Sequence, residues 1–326
     1  MAQIELNDVR KTYRVAERQA GLAGALKGAF RRQTRTVRAV DGISFAVEAG
    51  ELVGYIGPNG AGKSTTVKLM SGILTPDGGG IRVLGRVPHQ KRQEHVRHIG
   101  VVFGQRSQLW WDTPVRDSFE LLRDIYRVKD ADYRRRLSDL TDLLDAGELL
   151  AVPVRQLSLD QRMRCELIAS LLHAPEILFL DEPTIGLDAV TKLGLRRFLV
   201  ELNRQGVTMI LTTHDMDDIE ALCTRVMAIG RGRLLFDGRM ADMRARFAPH
   251  RVLKARMAAD CPPIEIALAE RVEHVGRDVR VTFLPDRLPA ERAIAMLAAA
   301  CPVADLTVEA PDVEELVADM YRELKL

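Results

Sequence analysis

Short apolar segments, bounded by glycine or charged residues, recur between residues 40 and 236. They lie at 52–56, 99–103, 177–180, 208–212 and 226–229. Apolar runs of this length, without strict alternation, predict strands that are buried on both faces of a mostly parallel sheet, with helices between them. Because such α/β sheets bind ligands beyond the carboxyl ends of their strands, we look for chemistry at those ends.

The pattern changes twice along the chain. Between 106 and 155 the segments are charged and amphipathic, as at 118–128 and 133–150, and these predict a helical insertion. After about residue 240 the pattern of apolar and polar residues predicts strands at 252–257, 279–284 and 303–308 and helices at 289–300 and 313–326. We therefore expect an α/β domain over 1–239, with a helical subdomain over about 106–175, and a small C-terminal α+β accessory or regulatory domain over 240–326.

A glycine-rich sequence follows the predicted strand at 52–56 and precedes a helix predicted at 65–70. It reads Gly57-Pro58-Asn59-Gly60-Ala61-Gly62-Lys63-Ser64-Thr65. This matches the phosphate-binding pattern G-x-x-x-x-G-K-[ST], in which successive N–H groups converge on phosphate oxygens at a helix N-terminus. In that role Lys63 reaches the β- and γ-phosphates and the Ser64 hydroxyl ligates Mg²⁺. The alternative, a glycine-rich turn without a ligand, is disfavoured by the flanking strand and helix.

A second candidate site is the acidic end of the strand at 177–180. Asp181 and Glu182 follow this apolar run directly. Asp181 is placed to hold Mg²⁺, and Glu182 to orient or deprotonate an attacking water, as carboxylates do in P-loop ATPases. An acidic strand end before Pro183 is the alternative interpretation, and the phosphate-binding sequence makes it the weaker one.

Other short sequences follow in a fixed order. They are Gln105 after the strand at 99–103, Leu157-Ser158-Leu159-Asp160-Gln161, Gly186-Leu187-Asp188, and Thr212-Thr213-His214-Asp215. Together with the two motifs above, they make the chain resemble the ATPase subunit of ABC transporters. The resemblance implies a P-loop NTPase fold of the ABC ATPase type, with ATP and Mg²⁺ as cofactors.

The resemblance also assigns roles to single residues. It implies that Gln105 senses Mg²⁺ and the γ-phosphate and is a metal-site residue beside Ser64 and Asp181, that His214 contacts the γ-phosphate, and that Tyr13 stacks on adenine. As isolated residues, a histidine after a strand is more often structural, and Tyr13 could serve packing.

The resemblance further implies a head-to-tail dimer that encloses two ATP molecules. In it, Ser158, Asp160 and Gln161 of one subunit cap the nucleotide held by the other, and Asp188 couples the two sites. Asp160 departs from the family pattern, which has glycine at this position. A carboxylate there should repel the triphosphate unless local geometry turns it outward, so turnover could be weak.

Within that superfamily, the sequence is similar to ATPases of the ABC-2 export type. The supporting features are Leu157-Ser158-Leu159, the run at 161–167, Trp110-Trp111-Asp112, and the C-terminal extension. The expected function is ATP binding and hydrolysis that power export through a separate transmembrane permease. The alternatives are an ATP-binding regulatory subunit with weak hydrolysis, and a non-transport ABC ATPase.

Two further segments have weaker indications. Residues 15–38 form a basic insertion, and a helical reading places Leu22, Leu26 and Phe30 on one face and Lys27, Arg31 and Arg35 on another. Arg18, Arg32 and Arg38 add to its charge. Such a segment can lie on an anionic membrane or on the transporter, or be a solvated loop. Trp110 and Trp111 are the only tryptophans, and they could form a docking surface or pack internally.

Bulk properties add three expectations. A net charge of +2 and the lack of a recognised binding module argue against nucleic acid as a partner. Cys165, Cys223, Cys261 and Cys301 are far apart, which favours reduced thiols. We find no apolar run of about 18 residues. We therefore expect a cytoplasmic protein that reaches the inner face of the membrane through the permease.

Overall fold

The computed structural model describes residues 2–16, 34–104, 106–213, 215–247, 250–309 and 320–322. The chain divides into two compact units, Met1–Gly238 and Arg239–Leu326. Each unit has its own hydrophobic core.

The first unit is built on two sheets. Its strands are β1 (Ala2–Ala16), β2 (Thr34–Glu48), β3 (Leu52–Ile56), β4 (Gly78–Val83), β5 (Ile99–Phe103), β6 (Ile177–Asp181), β7 (Thr208–Thr212), β8 (Arg225–Gly230) and β9 (Arg233–Arg239). One sheet has the order β5-β6-β7-β3-β8-β9, and the strands from β5 to β8 run parallel. Strands β3 and β7 are buried throughout, as expected where both faces of a sheet are covered.

The second sheet of this unit has the order β2-β1-β4 and is antiparallel. Its long β1 and β2 pair as far as Ala16 and Thr34. Arg35 and Arg38 therefore lie in a strand, opposite Val15 and Thr12, and the helical reading of the basic segment is wrong at these positions. Backbone pairing between strands decided this, because the four-residue spacing of Lys27, Arg31 and Arg35 in the sequence also fits one face of a helix. The remainder of that segment, residues 17–33, lies outside the described residues.

The helices of the first unit fall into two groups. Those around the sheets are α1 (Lys63–Met70), α2 (Arg92–His95), α6 (Ala189–Arg204) and α7 (Met216–Leu222), and those between β5 and β6 are α3 (Val115–Tyr126), α4 (Asp130–Leu143) and α5 (Leu159–Leu171). Helix α3 buries Val115, Phe119 and Leu122, whereas Leu121 and Ile125 are exposed. This one-sided burial follows from the three- and four-residue spacing of its apolar positions.

The core of the first unit includes Tyr55, Phe179, Ile210 and Met227, all with no exposed surface. Burying each aliphatic or aromatic side chain of this size contributes roughly 1.5–3 kcal/mol. These residues lie on β3, β6, β7 and β8, so the strongest packing directly supports the strand ends that carry the candidate motifs.

The second unit is α+β. It contains α8 (Met240–Phe247), β10 (Arg251–Met257), β11 (Arg271–Val275), β12 (Asp278–Phe283), α9 (Ala290–Ala300) and β13 (Val303–Glu309). The antiparallel sheet has the order β11-β12-β10-β13, and one face packs Leu253, Val281 and Phe283 with Leu297 of α9. Of the helix predicted at 313–326, only residues 320–322 are described.

The cysteines behave differently in the two units. Cys261 and Cys301 form a disulfide, so the expectation of reduced thiols is wrong for this pair. The Ala258 N–H donates to the Pro302 carbonyl at 2.9 Å, which brings together two segments that are distant in sequence. Cys165 and Cys223 are free and buried in the first unit, and burial raises the pKa of both thiols, that of Cys165 to about 12.

None of the helices in the described ranges is long and apolar enough to cross a lipid bilayer.

Candidate active site

The glycine-rich loop connects the end of β3 to the start of α1. A Cβ atom on Gly57 would lie 2.4 Å from the Ile229 carbonyl oxygen, and one on Gly62 would lie 2.2 Å from the Ala39 carbonyl oxygen. Gly62 also has a φ of 113°, in the left-handed region that favours glycine. These two glycines are therefore required for the loop to pass between β2 and β8.

The tip of the loop, Pro58 to Gly60, is exposed, whereas Ala61 to Lys63 are buried. Thr65, in the first turn of α1, is half-buried. The Ala61 N–H donates to the Pro58 carbonyl at 3.1 Å, and the Gly232 N–H donates to the Ala61 carbonyl at 2.9 Å. These bonds hold the loop as a tight turn above the first turn of α1, where helix N–H groups attract anions.

Lys63 lies under this turn and is only 6% exposed. Its Nζ donates to the Gly57 carbonyl at 2.5 Å and to the Pro58 carbonyl at 3.3 Å. Burial lowers the pKa of Lys63, and the carboxylates of Glu182 and Asp181 act in the opposite direction. A cation is thus held where the loop curls around it, as recognition of an anionic ligand requires.

Asp181 joins two strand ends and the loop. Its Oδ1 accepts hydrogen bonds from the Ser64 hydroxyl at 3.2 Å and from the Thr212 hydroxyl at 2.6 Å. Ser64 lies in the first turn of α1, Asp181 ends β6 and Thr212 ends β7. Because Mg²⁺ prefers oxygen ligands and is held by one or two carboxylates together with phosphates, this cluster fits a magnesium site.

Glu182 follows Asp181 in a strained conformation. Its φ is 57°, which is uncommon for a residue other than glycine. Its N–H donates to the Thr212 carbonyl at 2.9 Å, and a Cβ on Gly104 would lie 2.2 Å from its carbonyl oxygen. The backbone therefore turns sharply at the end of β6, and strain of this kind concentrates at functional sites.

Some of these groups line a polar cavity of about 290 Å³. The described residues that line it are Asn59, Ser64, Lys68, Phe103, Gly104, Arg106, Asp181 and Glu182. The cavity lies at the carboxyl ends of β5 and β6, which is the position expected for a ligand of an α/β sheet. The loop and the acidic strand end, which are more than a hundred residues apart in sequence, meet there.

Other predicted site residues lie elsewhere in the single chain. Ser158 and Gln161 form a capping box at the start of α5, and Asp188 caps α6 by accepting from the Thr191 N–H at 2.9 Å. That hydrogen bond holds the pKa of Asp188 below its usual range. None of the three is among the described residues that line the cavity.

Asp160 does not stand as a bare carboxylate. Its Oδ2 lies 2.8 Å from Arg164 Nη2, and both side chains are mostly buried, at 23% and 24% exposure. Arg164 Nη1 also donates to the carbonyls of Leu144 and Asp145 at 3.2 and 2.7 Å. The carboxylate that departs from the family pattern is thus turned toward its own helix and paired there.

Tyr13 is exposed on β1 and lies opposite Val37 of β2. Ala39, two residues beyond Val37, is the residue against which Gly62 packs, so Tyr13 is on the strand pair that borders the loop. Gln105 and His214 lie outside the described residues.

Some residues of this region were not found from the sequence. Thr212 has no separate role in the sequence motif, yet its hydroxyl donates a hydrogen bond to Asp181. Glu166 of α5 is 4% exposed and accepts from the Ser107 hydroxyl and from the Gln108 N–H, the latter at 3.1 Å. Burial raises the pKa of Glu166. The sequence signal for Glu166 was its position within an apolar helical run, because a carboxyl group that is buried there needs hydrogen-bond partners.

Comparison with known proteins gives the same family. The "ABC transporter" family matches residues 40–185. The chain is 35% identical over 213 residues to the probable multidrug ABC transporter ATP-binding protein YbhF of Escherichia coli (strain K12), covering 64% of this chain and 36% of YbhF. The chain thus spans about a third of the length of that relative.

A second relative is covered more fully. The Nod factor export ATP-binding protein I of Ralstonia nicotianae is 32% identical over 251 residues, which cover 73% of this chain and 74% of the relative. The dimeric structure of the ATP-binding cassette MJ0796 bound to ADP and Pi aligns with a TM-score of 0.60 and 23% identity, over 73% of this chain and 98% of the cassette. The predicted ABC ATPase fold is confirmed, and the chain belongs to the family of ABC transporter ATP-binding proteins.

Proposed function

We propose that this chain binds and hydrolyses ATP to power an ABC-2-type exporter through a separate transmembrane permease. The observation that carries the proposal is the convergence of Ser64, Asp181 and Glu182 on one cavity at the strand ends, with the buried Lys63 close enough for both carboxylates to act on its pKa. Family membership supports the same conclusion.

In this proposal the loop N–H groups and Lys63 hold the triphosphate. Ser64 and Asp181 hold Mg²⁺, which, when bound, neutralises charge on the β- and γ-phosphates. Thr212 fixes the orientation of Asp181 through its hydroxyl. Gln105 adds a contact to the metal and the γ-phosphate, as the resemblance implies.

Glu182 orients the attacking water and accepts its proton. Its left-handed backbone turns the chain out of the sheet directly after Asp181, so adjacent carboxylates serve the metal and the water. His214 contacts the γ-phosphate, and Tyr13 stacks on adenine from the hairpin that borders the loop.

The working unit in this proposal is a head-to-tail dimer. The N-terminus of α5, with Ser158 and Gln161 fixed by the capping box, faces the nucleotide of the partner. Asp188 at the start of α6 couples the two sites. The dimeric state of the related cassette MJ0796 supports this arrangement. ATP binding closes the dimer, and hydrolysis reopens it.

A permease surface is proposed at Trp110 and Trp111. Their side chains are exposed, at 45% and 53%, which disfavours internal packing. The Trp110 N–H donates to the Ser118 hydroxyl of α3 at 3.0 Å, so the backbone beneath is fixed. Rigid aromatic side chains of this kind dominate interfaces. Through this surface the chain is held on the inner face of the membrane.

A regulatory subunit with weak hydrolysis is the second candidate, because Asp160 replaces glycine in the signature sequence. This candidate requires repulsion between the Asp160 carboxylate and the triphosphate of the partner's ATP. The ion pair with Arg164 reduces that repulsion, since the positive guanidinium offsets the carboxylate charge. The geometry therefore favours a hydrolysing subunit.

The test separates the roles of phosphate, metal and water. We expect Lys63→Ala and Asp181→Asn to weaken Mg-ATP binding tenfold or more, on the order of 1.4 kcal/mol. Glu182→Gln should bind Mg-ATP normally, abolish steady-state hydrolysis and accumulate an ATP-bound dimer. Glu201→Gln, a surface change on α6, is the matched control for loss of a carboxylate. Equal loss of nucleotide affinity in all three site variants would contradict the assignment.

A further inference from the structure

The first unit has a second cavity, which is lined by residues of α5, of α6 and of the end of α4. Its volume is about 370 Å³, which lies within the range of pockets that hold small molecules. None of the described residues that line the cavity at the ends of β5 and β6 also lines this one. The two cavities are therefore separate sites.

The walls of this second cavity are mostly apolar. The large apolar side chains that line it are Leu143, Leu144, Met163, Leu167, Leu187 and Leu195. Five of them are buried, whereas Leu143 is 57% exposed. A ligand with an apolar body would contact the buried side chains and would also remove part of Leu143 from water, which is favourable.

Gly194 keeps space open on the α6 side of the cavity. It lies in the interior of that helix, where glycine is less favourable than alanine. In the described part of the chain, a Cβ atom at this position would meet no heavy atom within 4 Å, its own helix backbone and chain neighbours apart. Close packing therefore does not require glycine here, and a larger side chain would extend into free space.

One ion pair gives the cavity its polar part. Asp160 and Arg164 both line it, and they are joined through Asp160 Oδ2 and Arg164 Nη2 at 2.8 Å. The other carboxylate oxygen, Asp160 Oδ1, and the guanidinium Nε of Arg164 are buried and have no hydrogen-bond partner within the described ranges. Buried polar atoms are normally paired, so one acceptor and one donor are left for a ligand to satisfy.

The charges around the cavity favour a neutral ligand. Asp160 and Arg164 offset each other, and the one other charged residue that lines the cavity among those described, Asp145, has a fully exposed side chain. Water screens such an exposed carboxylate, so it offers little attraction to a cation.

We infer that this cavity binds a neutral small molecule with an apolar body and a primary carboxamide. The amide N–H donates to Asp160 Oδ1, and the amide carbonyl accepts from Arg164 Nε. A carboxamide supplies a donor and an acceptor on neighbouring atoms and carries no charge, which is what the two unpaired atoms require. This binding site is independent of the proposed ATPase function.

The first test compares three naphthalene derivatives by ligand-observed NMR and calorimetry, with no nucleotide added. Naphthalene carboxamide should bind with a Kd of about 1 mM or below, as expected of a ligand with few atoms. The N,N-dimethylcarboxamide lacks the N–H donor and should bind about tenfold more weakly, because Asp160 Oδ1 then stays unpaired. Naphthylmethylamine, a cation without an acceptor, should also bind more weakly than the carboxamide.

The second test fills the cavity. Gly194→Leu should weaken carboxamide binding by about tenfold or more, because the new side chain occupies the space of the ligand. The matched control is Arg197→Leu, which adds the same side chain at an exposed position of α6 that is not among the described residues that line the cavity. It should leave carboxamide affinity unchanged. Arg164→Lys keeps a cation but removes the Nε donor, and it should weaken carboxamide binding about fivefold.

Three results would overturn the inference. They are a folded wild-type protein that does not bind the carboxamide, equal or tighter binding of either of the other two compounds, and equal binding by folded Gly194→Leu and Arg197→Leu. Far-UV circular dichroism checks the fold of each variant. If Gly194→Leu does not fold, the three compounds on the wild-type protein and the Arg164→Lys variant decide the question. Failure to bind Mg-ATP would contradict the proposed function and not this site.

Discussion

The two units of the chain place their charged groups in different ways. In the first unit, charges next to the parallel sheet lie at strand ends, where Asp181 and Glu182 line one cavity and act on the pKa of the buried Lys63. In the second unit, charges cover one face of the antiparallel sheet and pair across neighbouring strands, as Arg256 and Asp278 do at 3.0 Å with 69% and 63% exposure. Exposed pairs of this kind contribute little to stability.

The comparison shows which contacts serve the site. In the first unit, the packing that stabilises the sheet also positions the loop and the acidic strand end, so stability and function depend on the same residues. In the second unit, stability comes from its own core and from the disulfide of Cys261 and Cys301. We therefore expect changes in the second unit to leave ATP binding intact.

The largest expected effect separates the two cores. Phe179 of β6 and Phe283 of β12 are both fully buried. Truncating either to alanine should destabilise its unit by about 3–5 kcal/mol, because a cavity remains. Phe179→Ala should also abolish Mg-ATP binding, whereas Phe283→Ala should preserve it. Urea unfolding and equilibrium nucleotide binding measure the two outcomes.

Deletion of residues 240–326 is the stronger form of this test. All the nucleotide motifs lie before residue 240, so we expect the truncated chain to bind Mg-ATP with unchanged affinity, while dimer stability or regulation is altered. A truncated chain that is folded but does not bind ATP would contradict the proposed division of labour.

The disulfide should have an intermediate effect. It closes a segment with a sequence separation of 40, and a bond of this kind stabilises by typically 2–4 kcal/mol. Cys261→Ser, or reduction by dithiothreitol, should lower the stability of the second unit by that amount and leave Mg-ATP affinity unchanged. Dithiothreitol should have no further effect on Cys261→Ser. Thiol titration of the native protein should detect neither Cys165 nor Cys223, because both are buried. Four reactive thiols would contradict the disulfide between Cys261 and Cys301.

The smallest expected effect concerns one ion pair from each unit. Asp160→Gly removes a carboxylate that is already paired with Arg164. The gain in ATPase rate should therefore correspond to a change in activation free energy of about 1 kcal/mol or less, the size of a screened interaction between two charges. The affinity of the monomer for ATP should stay the same. Asp160→Asn should give a similar result. Asp278→Asn, which breaks the exposed pair with Arg256, should change neither rate nor affinity. A fall in rate on Asp160→Gly would mean that the aspartate has a positive role in turnover.

The sequence predicted the parts of the fold that depend on local pattern. The buried strands at 52–56, 99–103 and 208–212 were found with their observed bounds, because a short and mostly apolar run is typical of a strand that is buried on both faces. The strands β1 and β2 were missed. They are long and mostly polar at one end, and only pairing with each other makes them strands.

The candidate site was predicted in the same uneven way. Spacing alone selected Lys63, Ser64, Asp181 and Glu182 as candidates, because the pattern for phosphate binding fixes the order of residues in a short loop and at a strand end. The ion pair of Asp160 with Arg164 is compatible with the sequence, since the two residues are four positions apart on one helix. The sequence does not show, however, which partner a side chain selects.

By itself, the sequence determined the family, and it supplied the candidate phosphate-binding loop and the expected two-part organisation, because all three depend on order and spacing along the chain. Tertiary structure alone decided the contacts between distant segments. They are the hydrogen bonds of Thr212 with Asp181 and of Ser107 with Glu166, the ion pair of Lys192 with Asp215, and the disulfide of Cys261 with Cys301. The physical reason is that a side chain finds its hydrogen-bond or disulfide partner through the packing of whole strands and helices. Sequence separation does not encode that proximity.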